Sequence, residues 1–226
     1  FAADGTPEGD EFTLNTFLAY NQRTPDVDFL PNGGIAAGWS STGKDDQGFA
    51  VVALTLDPDG AVDLDEIVIN EYEFGSQKNQ VLVAFEEGVK IGWFAIFWES
   101  QKQASGDSSG IFMEIVNQLG VQVGQGVDIQ VHQNDVGAQA VPRAARLAGD
   151  RLVAVWESDD SDADGVGIAR RIFNSSGGAV TNELPVNQSI SGDQLDPDVD
   201  GIDPTTFTVV WTNSHTGHVM GRILNN

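Results

Sequence analysis

Short runs of alternating apolar and polar residues cover almost the whole chain, and the same pattern occurs four times. Each copy contains an apolar run that ends at a tryptophan, and successive tryptophans are 59, 58 and 55 residues apart: Trp39, Trp98, Trp156 and Trp211. Runs rich in Val, Ile, Phe and Trp that are bounded by Gly, Pro, Asn and Asp indicate β-strands. No window keeps a helical period. The pattern therefore predicts an all-β fold built from four similar units.

A second repeated signature lies upstream of each tryptophan. An apolar and a polar residue are followed by a glutamine, seven positions after the polar one, in all four copies. The pairs are Leu14-Asn15, Ile69-Asn70, Val131-His132 and Val186-Asn187, and the glutamines are Gln22, Gln77, Gln139 and Gln194. Repeats of this length are typical of solenoids, propellers and arrays, so the strand content of one copy decides between them.

The first copy contains four predicted strands, at 26–30, 35–40, 49–57 and 66–70. Four strands per repeat make one propeller blade. The N-terminal segment carries only a fourth-strand pattern, at 11–15, whereas the C-terminal copy carries only the first three strands. The two ends can therefore complete one blade together.

We accordingly predict a single domain, 1–226, that is a four-bladed β-propeller with four-stranded blades. The N-terminal strand is expected to close the ring by completing the C-terminal blade. The predicted parts are a closing segment at 1–15, blade 1 at about 25–70, blade 2 at about 80–132, blade 3 at about 142–187, and blade 4 at about 197–226 together with 11–15.

Composition and charge exclude several classes of partner. The 226 residues contain no cysteine, so neither disulfides nor thiolate metal sites are expected. The 34 acidic and 11 basic residues give a net charge of −23, which argues against nucleic acid and anionic membranes as partners. No apolar run approaches the ~20 residues of a membrane span. The chain does not begin with Met and begins within a predicted blade, so we expect a processed product or a module of a larger protein.

The sequence motif of the repeat resembles that of a known group of proteins. The third copy shows it best, with Trp156-Glu-Ser158, then Gly165-Val-Gly-Ile-Ala-Arg-Arg171 and Phe173. It looks like the β-propeller-type repeats of large secreted proteins from marine and other environmental bacteria, often found beside calcium-binding repeats. The resemblance covers nearly the whole chain. It implies a fold and an extracellular or cell-surface location, and it implies no activity.

The loop after Trp156 carries the strongest candidate for a metal site. Asp160, Asp162 and Asp164 alternate along the chain and are followed by Gly165. Alternate carboxylates before a glycine allow a tight loop to wrap oxygen ligands around Ca²⁺, which takes six to eight of them. The spacing resembles only the first half of the Asp-x-Asp-x-Asp-Gly calcium loop, because Arg171 stands at the position of its last ligand. We expect structural Ca²⁺ at these three carboxylates, with an acidic solvated turn as the alternative.

A second set of carboxylates is expected near the centre of the molecule. Asp26 and Asp28 in the first copy, and Asp198 and Asp200 in the last, occupy the strand that should line the channel of a small propeller. The third copy has two arginines on that strand, Arg143 and Arg146. The opposed charges either pair with one another or hold a cation.

The repeated tryptophans and glutamines have a structural interpretation. Neighbouring blades cover both faces of each blade, so a recurring Trp is expected in the core between blades rather than on a sugar-binding surface. The Asn and Gln are expected to satisfy backbone groups where blades connect. Glu99 and Glu157 follow their Trp in adjacent copies and could form a glycosidase pair. Their repeat position explains them without catalysis, so no catalytic residue is predicted.

The sequence thus predicts a non-catalytic, extracellular binding or assembly module, supported by calcium, that recognises a glycan or a protein and is not an enzyme. Two alternatives remain open. The first is a structural subunit of a surface filament or sheath, in which the closing strand is exchanged between molecules. The second is an extracellular polysaccharide-acting enzyme, which requires a cluster of carboxylates in a groove at one face of the propeller.

Overall fold

Four antiparallel β-sheets follow one another along the chain. The structure is a computed structural model that describes residues 4–6, 9–45, 47–104, 108–123, 127–159, 161–203 and 205–225. Within these ranges the chain forms fifteen strands and two single 3₁₀ turns, Gly88–Lys90 and Ala148–Asp150. No helix in the described ranges is long and apolar enough to cross a membrane.

Each sheet is a meander in which sequential strands pair, and we call the sheets blades 1 to 4. Blade 1 comprises β1 (Gln22–Phe29), β2 (Ile35–Thr42), β3 (Phe49–Leu56) and β4 (Val62–Val68). Blade 2 comprises β5 (Gln77–Ala84), β6 (Phe94–Gln101), β7 (Ser109–Val116) and β8 (Ile129–Gln130). Blade 3 comprises β9 (Gln139–Leu147), β10 (Arg151–Ser158), β11 (Gly167–Phe173) and β12 (Leu184–Pro185). Blade 4 comprises β13 (Gln194–Asp203), β14 (Thr206–Asn213) and β15 (His218–Asn225).

The predicted all-β class and the four blades are confirmed. The second and third strands of the first three blades are buried over almost their whole length. Blades 2 and 3 have a neighbouring blade on both faces, whereas blade 1 packs against blade 2 on one face and against Leu14 of the N-terminal segment on the other. β3 is an example, with seven buried residues out of eight. Strands buried on both faces have continuous apolar runs rather than alternating ones, which is why the sequence signal is strongest at these strands.

The apolar core lies between successive blades. Trp98 packs with Leu30 and Ala36 of blade 1, and Trp156 packs with Val83 and Phe97 of blade 2. In the same way, Trp211 packs against blade 3. All four repeated tryptophans are buried. Their predicted place between blades is confirmed for Trp98, Trp156 and Trp211, whereas Trp39 packs within blade 1 beside Leu14 of the N-terminal segment.

In three of the four blades, the repeated glutamine binds the tryptophan of its own blade. In blades 1, 3 and 4 the glutamine Oε1 accepts a hydrogen bond from the indole N–H, at 3.1, 2.9 and 2.9 Å: Trp39–Gln22, Trp156–Gln139 and Trp211–Gln194. In blades 1 and 3 the repeated asparagine accepts a backbone N–H from the third strand, as Asn70 does from Val51 at 2.7 Å and Asn187 from Ile168 at 2.8 Å. Buried polar groups must be paired, so these residues are structural, as predicted.

The predicted closure of the ring is not observed. Blade 4 has three strands, and within the described ranges no strand pairs with the outer edge of β15. Residues 11–15 form no strand, and residues 1–3, 7 and 8 of the predicted closing segment lie outside the described part. Leu14 instead packs on the core of blade 1 beside Trp39, and Thr16 donates its N–H to Glu66 at 2.8 Å. The segment is therefore held by blade 1 and not by blade 4.

Candidate active site on the axis

The innermost strand of every blade contributes to one cavity on the axis of the molecule. The cavity has a volume of about 490 Å³. Its charged lining residues are Asp26 from β1, Arg143 from β9 and Asp198 from β13, and β5 adds Asn79 and Gln80. Four strands that are far apart in sequence thus bring carboxylates, amides and a guanidinium to one place.

A backbone irregularity occurs at the same position of all four innermost strands. Each strand has a register shift there against its neighbour, and one residue has a positive φ of 49 to 55°: Thr24, Asn79, Val141 and Asp196. Such β-bulges redirect side chains and are common next to active sites. Positive φ is unfavourable for β-branched residues, so the bulges at Thr24 and Val141 carry backbone strain at the mouth of the cavity.

The central carboxylates predicted from the sequence do line the axis. Asp26 shares the first cavity with Arg143 and Asp198, whereas Asp28, Arg146 and Asp200 line a second cavity further along the axis. The two carboxylates of β1 also bridge to blade 2. Asp26 accepts the Leu82 N–H at 2.7 Å and Asp28 accepts the Ala84 N–H at 2.8 Å.

The four central aspartates differ in how firmly they are held. Asp198 makes a described hydrogen bond only to its neighbour, the Val199 N–H, at 3.0 Å. Arg146 forms an ion pair with Glu86 at 2.5 Å, so charge pairing accounts for that arginine. A cation between these aspartates stays a prediction.

Glu99 and Glu157 lie beside the bulges. Glu99 is buried, accepts a hydrogen bond from the Asn79 amide at 3.0 Å and pairs with Lys78 at 3.3 Å. Glu157 accepts the backbone N–H of the strained Asp196 at 2.8 Å. Glu99 is thus bound to Asn79, which lines the axial cavity, and Glu157 to Asp196, which lies two residues before the cavity-lining Asp198.

The surroundings of Glu157 favour its protonated form. Burial makes the largest contribution and raises the pKa of this carboxyl, and the nearby charges of Asp196 and Glu99 raise it further. The hydrogen bond from the Asp196 N–H and the charge of Arg143 act in the opposite direction but do not cancel the rise. A carboxyl with a raised pKa is suited to general acid catalysis.

The predicted calcium loop follows β10. Asp162 accepts the Asn187 amide at 2.7 Å and the Asp164 N–H at 3.0 Å, and Asp164 accepts the Gly192 N–H at 3.3 Å. Asp160 lies outside the described residues. Among the residues that are described, no three His, Cys, Asp or Glu side chains form a group suited to a metal ion. Calcium at Asp160, Asp162 and Asp164 stays a prediction.

Several residues at the cavity were not singled out from the sequence. Asn79, Gln80 and Val141 line it, and the Asp196 backbone holds Glu157. A signal was present, because each bulge lies between the repeated glutamine and the Pro or Gln three positions later. That spacing marks the rim of the axis in every copy.

Neither a family model nor a curated protein matches the chain, but solved structures share its fold. An α-L-arabinanase from Penicillium chrysogenum, complexed with arabinobiose, is 14% identical over 92% of this chain and 64% of that one, with a TM-score of 0.56. The GH93 α-L-arabinofuranosidase of Fusarium graminearum, also with arabinobiose, is 10% identical over 93% and 79%, with a TM-score of 0.56. A Dyadobacter fermentans protein of unknown function is 17% identical over 88% and 52%, with a TM-score of 0.56.

The chain thus spans between half and four fifths of these three structures, and at such identities the likeness shows the fold alone. It nevertheless corrects one expectation. A non-catalytic binding or assembly module was predicted, yet most of these structural neighbours are glycan-acting enzymes. The sequence analysis explained Glu99 and Glu157 by repeat position alone, and that argument does not exclude a catalytic part for either residue. Equivalent residues of the four blades lie at similar distances from the axis. A carboxylate that recurs for structural reasons can therefore also lie near a site that several blades form together.

Proposed function

We propose that this protein is an extracellular enzyme that hydrolyses a polysaccharide, with its active centre at the axial cavity lined by Asp26, Arg143 and Asp198. The observation that carries the proposal is the half-buried Glu157, whose pKa is raised and which accepts the backbone N–H of Asp196, two residues before the cavity-lining Asp198. Most glycoside hydrolases use two carboxyl groups, one protonated and one ionised. The glycan-acting structural neighbours support the same class.

Each side chain has a defined part in the proposed reaction. Glu157 donates its proton to the glycosidic oxygen as the bond to the leaving sugar breaks. Asp198 acts as the second carboxylate. It either activates the water molecule that attacks the anomeric carbon, or attacks that carbon itself to form a covalent intermediate that water, deprotonated by Glu157, then hydrolyses. Asp198 suits this part better than Asp26, because the Asp26 carboxylate is held by the Leu82 N–H of the next blade. Arg143 provides positive charge beside Asp198 in the same cavity.

Arabinose-containing polysaccharide is the first substrate class to test, because two of the structural neighbours bind arabinobiose. Release of reducing sugar from arabinan and arabino-oligosaccharides by the parent chain is the measurement. Glu157→Gln and Asp198→Asn should each lower the rate by about 10²-fold or more, the usual contribution of a catalytic acid or base. The parent rate should also fall as the pH rises through the raised pKa of Glu157.

Asp200→Asn is the matched control, since this aspartate lies two residues further along β13 and lines the second cavity instead. It should keep most of the activity. Absence of hydrolysis on arabinan and on a broad panel of other glycans would overturn the proposal. Equal loss in the Asp198 and Asp200 variants would place the active centre elsewhere.

A further inference from the structure

Blade 1 has an uncovered face beside the axis. Val27 and Phe29 of β1 are 56% and 74% exposed. In blades 2 and 4 the position of Val27 is taken by Leu82 and Val199, and both are buried against the preceding blade. Blade 1 therefore has the apolar surface of a blade-to-blade interface without a full blade against it.

Blade 4 has the complementary defect. Val219 and Ile223 on β15 are 77% and 67% exposed, whereas Ile168 and Ile172 at the same positions in blade 3 are fully buried. The innermost strands contact one another in the order β1, β5, β9 and β13, and across the described residues no comparable contact joins β13 to β1. The ring is thus open between blades 4 and 1, with an apolar face on each side.

The other three blades show how their fourth strand is bound. In blade 1 the Ile69 N–H donates to the Val51 carbonyl at 2.8 Å, and the Val51 N–H donates to Asn70 Oδ1 at 2.7 Å. Blades 2 and 3 repeat both contacts, at Ile111 and Ile168. Val219 is the equivalent residue of blade 4. It pairs with Thr212, the residue after Trp211, just as Val51 pairs with Ser40, the residue after Trp39. The N–H and carbonyl of Val219 that face away from β14 are therefore expected to bind an apolar residue followed by Asn, as Val51 binds Ile69 and Asn70.

Leu14-Asn15 is such a pair, and it is already in place against blade 1. The Asn15 amide donates to the Phe17 carbonyl at 2.9 Å, as the Asn70 amide does to Tyr72. Asn15 Oδ1, however, has no third-strand N–H to accept within the described residues.

In blades 1 to 3, a carboxylate in the fourth strand or directly before it binds a backbone N–H in the segment that precedes the blade. Thr16 donates to Glu66, Glu71 donates to Asp128, and Gln133 donates to Glu183, at 2.8, 3.0 and 2.6 Å. The fourth member of this series would join Gln188 to Glu11, and it is not made in the described structure.

We propose that β15 docks on residues 11–15 of the same chain and closes the ring, so that the segment held by blade 1 acts as a latch for blade 4. In the docked state the Leu14 N–H donates to the Val219 carbonyl and the Val219 N–H donates to Asn15 Oδ1. The Gln188 N–H donates to the Glu11 carboxylate, and both open faces become buried. The register of the docked strand follows from blade 1, where Val68 lies opposite Val52 and Ile67 opposite Ala53. Thr13 therefore lies opposite Met220, and Phe12 opposite Gly221.

Engineered cysteines test this register, because the chain contains no cysteine of its own. Thr13 and Met220 form a non-hydrogen-bonded antiparallel pair with an expected Cα separation of about 4.5 Å, which a disulfide can span. Oxidised Thr13→Cys/Met220→Cys should be a monomer with an intramolecular disulfide. The control Thr13→Cys/Arg222→Cys is two residues out of register and should crosslink poorly. Disulfide-linked dimers would show that a second copy supplies the strand, and equal crosslinking in both variants would show that no register exists; either result overturns the proposal.

Hydrogen exchange gives a second readout that needs no engineered bond. The Val219 amide should be protected in the parent, and Asn15→Ala should lower that protection about tenfold by removing its acceptor. Asn21→Ala, in the following loop, should leave it unchanged. An unprotected Val219 amide in the parent, or protection that is insensitive to Asn15, would contradict closure. Neither readout depends on hydrolytic activity, so this proposal and the proposed function can fail separately.

Discussion

At the scale of single residues, the protonation of Glu157 links the stability of the protein to its proposed chemistry. Burial raises the pKa of this carboxyl in the folded chain, so the folded protein holds the proton more tightly than the unfolded chain does. Ionisation therefore costs stability. That cost is absent below the ordinary glutamate pKa of 4.5, appears as the pH rises, and is complete above the raised pKa.

Glu157→Gln removes the charge and should therefore stabilise the folded chain at pH 7 to 8 relative to the parent. The difference in the free energy of unfolding between variant and parent should shrink toward pH 4, as measured by urea denaturation at several pH values. A difference that does not change with pH would mean that the carboxyl is not perturbed.

Glu66 provides a control of opposite sign. Its burial alone would raise its pKa, but hydrogen bonds from Lys44 and Thr16 outweigh burial and lower it. The resulting stability is present above the ordinary value of 4.5 and is lost as the pH falls through the lowered pKa. Glu66→Gln should accordingly destabilise the protein at pH 7 and have less effect in acid.

At the scale of secondary structure, the four bulges are the elements that shape the axial cavity. Val141 adopts a φ of 49°, which is strained for a β-branched residue, whereas blade 2 has Asn79 at the same position with a φ of 55°. Asn tolerates this conformation better than Val does.

Val141→Asn should therefore raise the free energy of unfolding, by about 1 kcal/mol. Urea denaturation of the parent and the variant measures the change. Ala140→Gly, at a neighbouring residue outside the positive-φ set, should instead lower it by about 0.5–1 kcal/mol. A destabilised Val141→Asn would mean that packing of the valine side chain outweighs its backbone strain.

The strands themselves could be predicted, and the bulges could not. Strands such as β3 and β10 are buried on both faces, so their long apolar runs are visible in the sequence. The bulges occur at Thr24, Asn79, Val141 and Asp196. These four residue types do not share a preference for the left-handed backbone conformation with positive φ. Their conformation is imposed by pairing with the adjacent strand, and only the spacing from the repeated glutamine marks their place.

At the scale of the whole molecule, the candidate site exists because the blades converge. Asp26 and Asp198 are separated by most of the chain, yet both line one cavity. The repeat placed the two aspartates on equivalent strands, so their position near the axis could be predicted. The contribution of Glu157 could not, because its raised pKa depends on its burial and on the charges of Asp196 and Glu99 in the neighbouring blades. Ring closure was predicted from the phase of the repeat, but the structure has the closing segment on blade 1 and leaves β15 free.

The most direct test of the central claim is the position of a bound sugar. A crystal structure of Glu157→Gln with an arabino-oligosaccharide should show the glycosidic bond in the axial cavity, with Asp198 facing the anomeric carbon and residue 157 within hydrogen-bonding reach of the glycosidic oxygen. A sugar bound away from the axis, for example on the exposed rings of Tyr20 or Phe74, with the cavity empty, would contradict the assignment of the active site.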